Sequence, residues 1–480
     1  MNAVGLFGAF GTLLAAGYGL LGLLVRRSVR LSIAEQIGFS WLFGTGAVSL
    51  LLWVFGFFAN GLVLQALVTV VCLSLGMVGW KKVPVRLGLK TPSQLRNKPK
   101  WFEVILGAVV AMEIAIVFYL SFVHTLGWDG LLNWEIKARY AFANGGVLPA
   151  AYFSDAGRAF SHPEYPLAIP FTELWLYLWL GESNQFYAKT IFPIFYVAGT
   201  FLLSAFSARL SGRTWLGLLM AALLFFVPQI TVDVGCASTG YADFPLSVFY
   251  LAAAGCLFCA SEQGEGAFFR LYAASLALLP WIKRDGLILW AVSVVCGVFV
   301  ILRTRRSSLS FLAFLPGIVL ICAWRLYLNT THAIQAADFL SFSLETFRTH
   351  MDRALPLLSA LVAEFHNLPT WSLFWFIVAV AFLYLLPRMR DPRVVALLVA
   401  LIAPIVLYLS LYLFSSWPNY LDHVGLSISR LLMQVAPVGF LLIVLSVSRR
   451  PEKYPQGVQM PHPATCAITC SERTAVVELA

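Results

Sequence analysis

Five short segments hold most of the side chains able to do chemistry: GWDGLLNWEIKARY from residue 127, SHPEYPLAIP from 161, GYADFPL from 240, WIKRDG from 281 and NYLDHVGLSISRLLMQVAP from 419. In the first, Asp129 lies just past a long apolar run, followed by Trp134, Glu135 and Lys137. A carboxylate at a low-dielectric boundary suits a general base toward a hydroxyl, while an Asp before an amphipathic run also suits a helix cap. In the second, His162, Glu164 and Tyr165 stand between Pro163, Pro166 and Pro170. Prolines fix φ, so the loop has little ordering entropy left to lose, which serves a binding site and a rigid turn equally.

The third segment puts Asp243 at the mouth of an apolar run with Tyr241 beside it. An ionisable residue so close to a membrane is costly and points to function, with a helix cap as the competing reading. The fourth places Lys283, Arg284 and Asp285 in a turn between two apolar runs, where the cations fit an anionic headgroup or phosphate, or a local ion pair with Asp285. In the fifth, His423, Ser427, Arg430 and Gln434 follow at intervals of four, three and four, one face of a helix. Such a stripe must face protein or a cavity. Arg430 is costly to bury and well shaped for bidentate phosphate contact.

The elements that carry these residues follow from composition. The chain has 480 residues, 60% hydrophobic and 12% charged, with mean hydropathy +0.81. Soluble domains are about half apolar and about one-quarter charged, so one soluble core cannot hide this much apolar surface. The apolar residues come in blocks near 3–25, 34–58, 61–80, 102–123, 186–207, 214–230, 243–260, 267–282, 286–302, 310–328, 370–387, 394–414 and 430–448. Blocks of about 20 residues match the length a helix needs to cross a bilayer. The fold expected is therefore an all-α integral membrane protein with about thirteen transmembrane helices.

A net charge of +10 invites a nucleic-acid reading, but the cations sit between the apolar blocks and argue against one. Most of the 33 lysines and arginines fall on one side of the alternation: after the first block, in the run from Lys81 to Lys100, near Arg209, Arg270, Arg303 and Arg388, and in the tail. Positive short loops stay cytoplasmic, which predicts an N-terminus outside, a C-terminus in the cytoplasm and all five polar segments on the outer face. The first block is preceded by no basic residue and followed by Arg26, Arg27 and Arg30, the reverse of a cleavable signal, and the whole fits a multi-pass bacterial inner-membrane protein with a periplasmic active face. The stretch FTELWLYLWLG, 171–181, is too short to span and rich in Trp and Tyr, so it is expected to lie in the headgroup region as one of two interfacial helices in the first large outer loop. Residues 449–480 lack hydrophobic periodicity and read as a disordered tail. Cys72, Cys236, Cys256, Cys259, Cys296 and Cys322 fall in or beside apolar runs, without metal-ligand spacing, and read as small core residues.

In their order and common sidedness, GWDG, SHPEYPLAIP, GYADFP and KRDG resemble elements of the GT-C superfamily, polytopic glycosyltransferases that use polyprenyl-phosphate-linked sugars, in its protein mannosyltransferase and aminoarabinose transferase branch. The resemblance covers roughly residues 101–448. It divides the chain into a three-span extension (1–100), a GT-C-like core (101–448) and the tail (449–480). Departures are an Asp129 without an adjacent Glu, KRDG in place of Lys-x-Glu-Gly, three additional leading spans and no large soluble domain after the last span.

What the resemblance implies is an enzyme whose partners are the bilayer, a polyprenyl-phosphate sugar and an acceptor of unstated class. Lys283, Arg284 and Arg430 would take the donor phosphate, and Asp129, His162 and Asp243 would act at the acceptor hydroxyl. Trp134, Lys137, Glu164, Tyr165, Tyr241, Asp285 and His423 would line the substrates. No cofactor is implied, although Asp129, Glu164 and Asp243 on one face would suit a divalent metal. The rivals are a transporter or flippase, which would show inverted repeats and polar residues at mid-span, and a non-catalytic assembly factor for envelope lipids. In the sequence the polar residues gather at span ends.

Overall fold

In hydrocarbon every backbone N–H and C=O must be satisfied within its own segment, so apolar blocks of this length fold as helices. The computed structural model describes residues 2–26, 29–82, 100–263, 266–304, 306–336 and 338–448. Regular structure among the described residues is helical, apart from one isolated bridge between Phe339 and Ser415. The helices used below are α1 (Asn2–Val25), α2 (Ile33–Phe55), α3 (Gly61–Lys82), α4 (Trp101–Val123), α5 (Ile136–Ala143), α6 (Ala168–Leu180), α7 (Ile191–Ser211), α8 (Thr214–Phe225), α9 (Asp243–Gln263), α10 (Gly266–Ile282), α11 (Gly286–Arg303), α12 (Leu315–Thr330), α13 (Phe374–Leu385), α14 (Pro392–Leu411) and α15 (Tyr420–Val447).

Against the expectation of about thirteen spans, ten helices among the described residues are long and apolar enough to cross a membrane. The remaining three blocks form the shorter apolar helices Thr214–Phe225, Gly266–Ile282 and Phe374–Arg388. The chain is thus a multi-pass membrane protein in which some apolar segments are buried by neighbours. The last helix begins ten residues before its apolar block, at Tyr420, so the whole stripe from His423 to Gln434 rides on α15.

Residues 1–447 form one unit, and α1 to α3 pack into it: α1 lies against α2, α3 and α6, and α2 against α7. The start of α2 is fixed by a capping box in which Ser32 Oγ accepts from Glu35 N–H at 3.2 Å and Ser32 N–H donates to Glu35 Oε2 at 2.7 Å. Glu35 also accepts from Arg209 Nε at 2.6 Å, tying α2 to α7 at the face opposite the site.

The two helices expected in the first loop exist, as α5 and α6, but α6 is not an exposed interfacial helix. Nearly all of its residues from Ala168 to Leu180 are buried. Trp175 Nε1 donates to Thr12 Oγ1 at 3.0 Å and Tyr177 OH to Glu135 Oε1 at 2.7 Å, so polar partners inside the protein replace the headgroups that Trp and Tyr usually seek. Five of the cysteines, Cys72, Cys236, Cys256, Cys259 and Cys296, are buried as expected, while Cys322 is exposed on α12. The tail from 449 onward, with Cys466 and Cys470, and most of the loop between Lys81 and Lys100 lie outside the described residues.

Candidate active site

Four chain segments converge at one end of the helices. Asp129 follows α4, Asp243 opens α9, Lys283 to Asp285 make the turn between α10 and α11, and Arg430 lies in α15. The first two segments meet because the backbone allows close approach: Gly127 N–H donates to Thr239 O at 2.8 Å, and a Cβ on Gly130 would fall 2.6 Å from the same carbonyl. Gly240, at φ +84°, turns the chain back into α9 in a left-handed conformation that glycine adopts without strain.

The result is a continuous ion network. Arg430 Nη2 donates to Asp129 Oδ2 and, at 2.9 Å, to Asp243 Oδ2. Its guanidinium lies 4.6 Å from the ring centroid of Tyr241. Lys283 Nζ donates to Asp243 Oδ1 at 2.6 Å and stands 2.8 Å from Asp285 Oδ2. Gln434 Nε2 closes the other side, donating to Asp243 Oδ1 at 2.8 Å and to Asp285 Oδ2 at 3.1 Å, and its own carbonyl accepts from Tyr408 OH at 2.6 Å. Three carboxylates therefore meet two cations. A buried ion network of this kind persists only when each charge has several partners.

This geometry separates readings that the sequence left open. Asp129 makes no capping hydrogen bond to the π-helical turn Gly130–Glu135 that it precedes, so its carboxylate is held by Arg430 and not spent on a cap. Asp243 side-chain exposure is 0%, whereas Asp129 keeps 18%, so of the two acids Asp129 is the one a substrate can meet. Burial works against the Lys283 charge, but Asp243 and Asp285 outweigh it and hold its pKa above the ordinary value. Burial, reinforced by Asp129, pushes the Tyr241 phenol up.

His162, Glu164, Tyr165, Trp134 and Lys137 form a second group beside the first. His162, in a left-handed conformation at φ +46°, accepts Lys137 Nζ on its carbonyl at 2.7 Å. Lys137 is fully buried, its Nζ 5.4 Å from the Trp134 ring and 5.6 Å from the Tyr165 ring. Burial pushes its pKa down to about 7 against the opposing charge of Glu164. The Glu164 carboxylate lies 3.6 Å from both His162 Nδ1 and Arg284 Nη1 and accepts Ala336 N–H at 3.3 Å. Burial would raise its pKa, yet His162 and Lys137 bring it below the ordinary value. His162 thus stands with Glu164, away from the direct partners of Asp129 and Asp243.

His423 stands further along α15, its ring stacked 4.9 Å from Trp417 and its Nδ1 3.0 Å from Ser415 Oγ. Phe339 links it to the second group, 5.4 Å from the His423 ring and 5.9 Å from the Arg284 guanidinium.

Beside the second group opens a cavity of about 320 Å³ between α10, α11 and α12. Pro280, Trp281, Leu287, Leu320 and Trp324 supply apolar wall, and Glu164, Arg284, Arg325 and Gln335 its polar part. Of the three cations expected at a phosphate, only Arg284 lines this cavity, where it faces Glu164 at 3.6 Å, while Lys283 and Arg430 lie in the ion network with Asp243. Arg325, Gln335 and Tyr408 were not singled out in the sequence. Arg325 interrupts the apolar run of α12 and is the one signal that could have drawn attention to it.

Among the described residues no group of three His, Cys, Asp or Glu side chains is placed to hold a metal ion. Glu164 stands apart from Asp129 and Asp243, so the three acids do not make one ligand set. Comparison with known proteins returns no family model, no curated protein and no solved structure that matches this chain, and its chemistry is therefore read from the site itself.

Proposed function

We propose that this chain is a membrane glycosyltransferase that moves a sugar from a polyprenyl-phosphate donor to an acceptor hydroxyl on the non-cytoplasmic face. The observation that carries the reading is the pairing of a partly exposed carboxylate, Asp129, held by Arg430, with a nearby apolar cavity lined by Arg284 and Arg325. An amphiphile with an anionic head matches such a cavity, its chain against Trp281, Leu320 and Trp324 and its phosphate toward the two arginines.

In the displacement, an acceptor oxygen attacks the anomeric carbon, its proton passes to Asp129, and the bond from that carbon to the phosphate oxygen breaks to release polyprenyl phosphate. Arg284 and Arg325, both accessible to solvent, offset the charge of the leaving phosphate through charge-assisted hydrogen bonds. Arg430, Lys283 and Gln434 orient the acids. Asp243 is a positioning residue, because its buried carboxylate is consumed by those three partners. His162 and Lys137 shape the Pro-rich loop that presents Glu164, and His423 packs beyond it. The outer placement rests on the excess of Lys and Arg in the opposite loops.

The test is release of polyprenyl phosphate from defined polyprenyl-phosphate sugars by protein in nanodiscs, wild type against Asp129→Asn. Release that needs Asp129 supports the reading, and a folded wild type that turns over no donor in the presence of envelope extract ends it.

One observation favours the transporter or flippase alternative. Glu113, midway along α4, is 2% exposed, and neither carboxyl oxygen has a hydrogen-bond partner in the structure. It is a polar group at mid-span that the sequence reading passed over. Proton-dependent movement of a lipid-linked substrate across sealed vesicles, lost in Glu113→Gln, would establish that alternative.

A further inference from the structure

A second cavity, of about 400 Å³, lies across an aromatic partition from the first. Its walls come from the end of α2 (Leu52, Trp53), from Leu148 and Pro149, and from Phe171 and Tyr327. Trp281 and Trp324 face the first cavity, while Trp53 and Tyr327 face the second. These four rings interlock, with centroids 5.2 Å apart for Trp53 and Trp281, 5.8 Å for Trp53 and Trp324, and 5.5 Å for Trp324 and Tyr327. The Pro-rich loop serves both sides, since Glu164 and Pro166 line the first cavity and Leu167 the second.

We infer that the site takes two amphiphiles at once, and that the acceptor is itself a membrane lipid whose uncharged chain occupies this second cavity. The inference rests on the glycosyltransferase reading for the words donor and acceptor, and on the paired cavities for the rest. The chemistry of the linings differs in the way two such substrates require. The first cavity carries Arg284, Arg325 and Glu164, whereas the second has no ionisable side chain but the Tyr327 phenol, with hydroxyls at Thr330 and Thr331. An apolar wall without charge suits a hydrocarbon chain and gives nothing to a sugar or a charged peptide. The cavity opens at the surface where α2 and α12 end, beside the exposed lining residues Phe57, Ala150 and Thr330. An occupant seated there has its polar end beside the Pro-rich loop that borders both cavities.

The experiment uses the full chain in nanodiscs with two photoreactive probes, a diazirine-bearing long-chain prenyl alcohol and the corresponding prenyl phosphate, and maps the labelled peptides by mass spectrometry. The alcohol is expected on residues 147–150 and 327–331 and the phosphate on residues 320–325. Ala150→Trp and, separately, Thr330→Trp place an indole from an exposed position into the second cavity. Displacing two methylenes from it weakens binding about tenfold, so either variant is expected to cut alcohol labelling by that factor and leave phosphate labelling unchanged. Alcohol labelling scattered over lipid-facing helices, or unaffected by both variants, overturns the inference. Specific labelling without turnover of any donor leaves the two-lipid site standing and ends the glycosyltransferase reading. Turnover with a water-soluble acceptor at the same rate in wild type and both variants does the reverse.

Discussion

Arg430 donates to Asp129 across 301 residues of sequence and to Asp243 across 187, so one guanidinium holds the acids of two separate segments. Only Asp129 keeps part of its surface open. Replacing it with Asn keeps the shape and removes the proton acceptor. Asp129→Asn is expected to lower the transfer rate by about 10²-fold or more while the melting temperature changes little, because Arg430 retains Asp243. Equal rates of polyprenyl phosphate release from the two proteins would rule Asp129 out as the base.

Asp243 is expected to behave in the opposite way. Asp243→Asn leaves Lys283 with Asp285 and Arg430 with Asp129 but removes the fully buried carboxylate that both cations share, so it is expected to lower stability by more than Asp129→Asn does, by about 1–3 kcal/mol. Lys283→Met, made alone and in that variant, breaks the same contact from the other side, so the two losses are expected to be less than additive. A double-mutant cycle read by chemical denaturation in detergent decides it, and strictly additive losses would mean that the two side chains do not act on each other.

The cavity arginines should affect binding and not folding. Arg284→Ala and Arg325→Ala are each expected to weaken prenyl phosphate binding about tenfold at low salt, and less as ionic strength rises, with an unchanged melting temperature. Binding of the uncharged alcohol serves as the control, and a parallel loss of both ligands would show that the arginines shape the cavity without reading charge.

Lys137 gives a pH signature. Burial lowers its folded pKa to about 7, against a model-peptide value near 10.4, so the unfolded chain holds the extra proton between those limits. The neutral amine's contribution is fully present above the unfolded pKa and is lost as pH falls toward about 7. Lys137→Met should therefore flatten the rise of melting temperature between about pH 7 and pH 10 relative to wild type. Identical slopes in the two proteins would mean that Lys137 stays charged in its aromatic pocket.

Glu173, on α6, carries the reverse sign. It is fully buried, neither carboxyl oxygen has a hydrogen-bond partner in the structure, and burial with the nearby Glu135 raises its pKa well above the carboxylate range. Its contribution is present below the unfolded pKa and falls as pH rises through the folded one. Glu173→Gln, a neutral isostere, is expected to match wild type below about pH 4 and to be the more stable protein as pH rises above that, by about 1.4 kcal/mol for each pH unit until the folded carboxyl ionises. A loss of several kcal/mol in thermal or chemical unfolding would mean that the carboxylate is ionised and paired.

Much of this protein was settled by its sequence. Apolar blocks of about 20 residues dictate helices because the bilayer offers the backbone no hydrogen-bond partner, and the period of α15 alone puts His423, Ser427, Arg430 and Gln434 on one face. Asp129, Asp243, Lys283 and Arg430 were visible as residues that such an environment tolerates only for a reason. Their partners were not. Whether Asp129 caps a turn or meets Arg430, whether Lys283 is spare or consumed by Asp243 and Asp285, and which cation lines a cavity depend on how α4, α9, α10 and α15 stand beside one another. The burial of α6, whose Trp and Tyr suggested an exposed interfacial helix, has the same origin. Periodicity reports the face a helix must hide, but not what comes to hide it. That is decided by side-chain packing between segments far apart in the chain, and only the tertiary structure holds it.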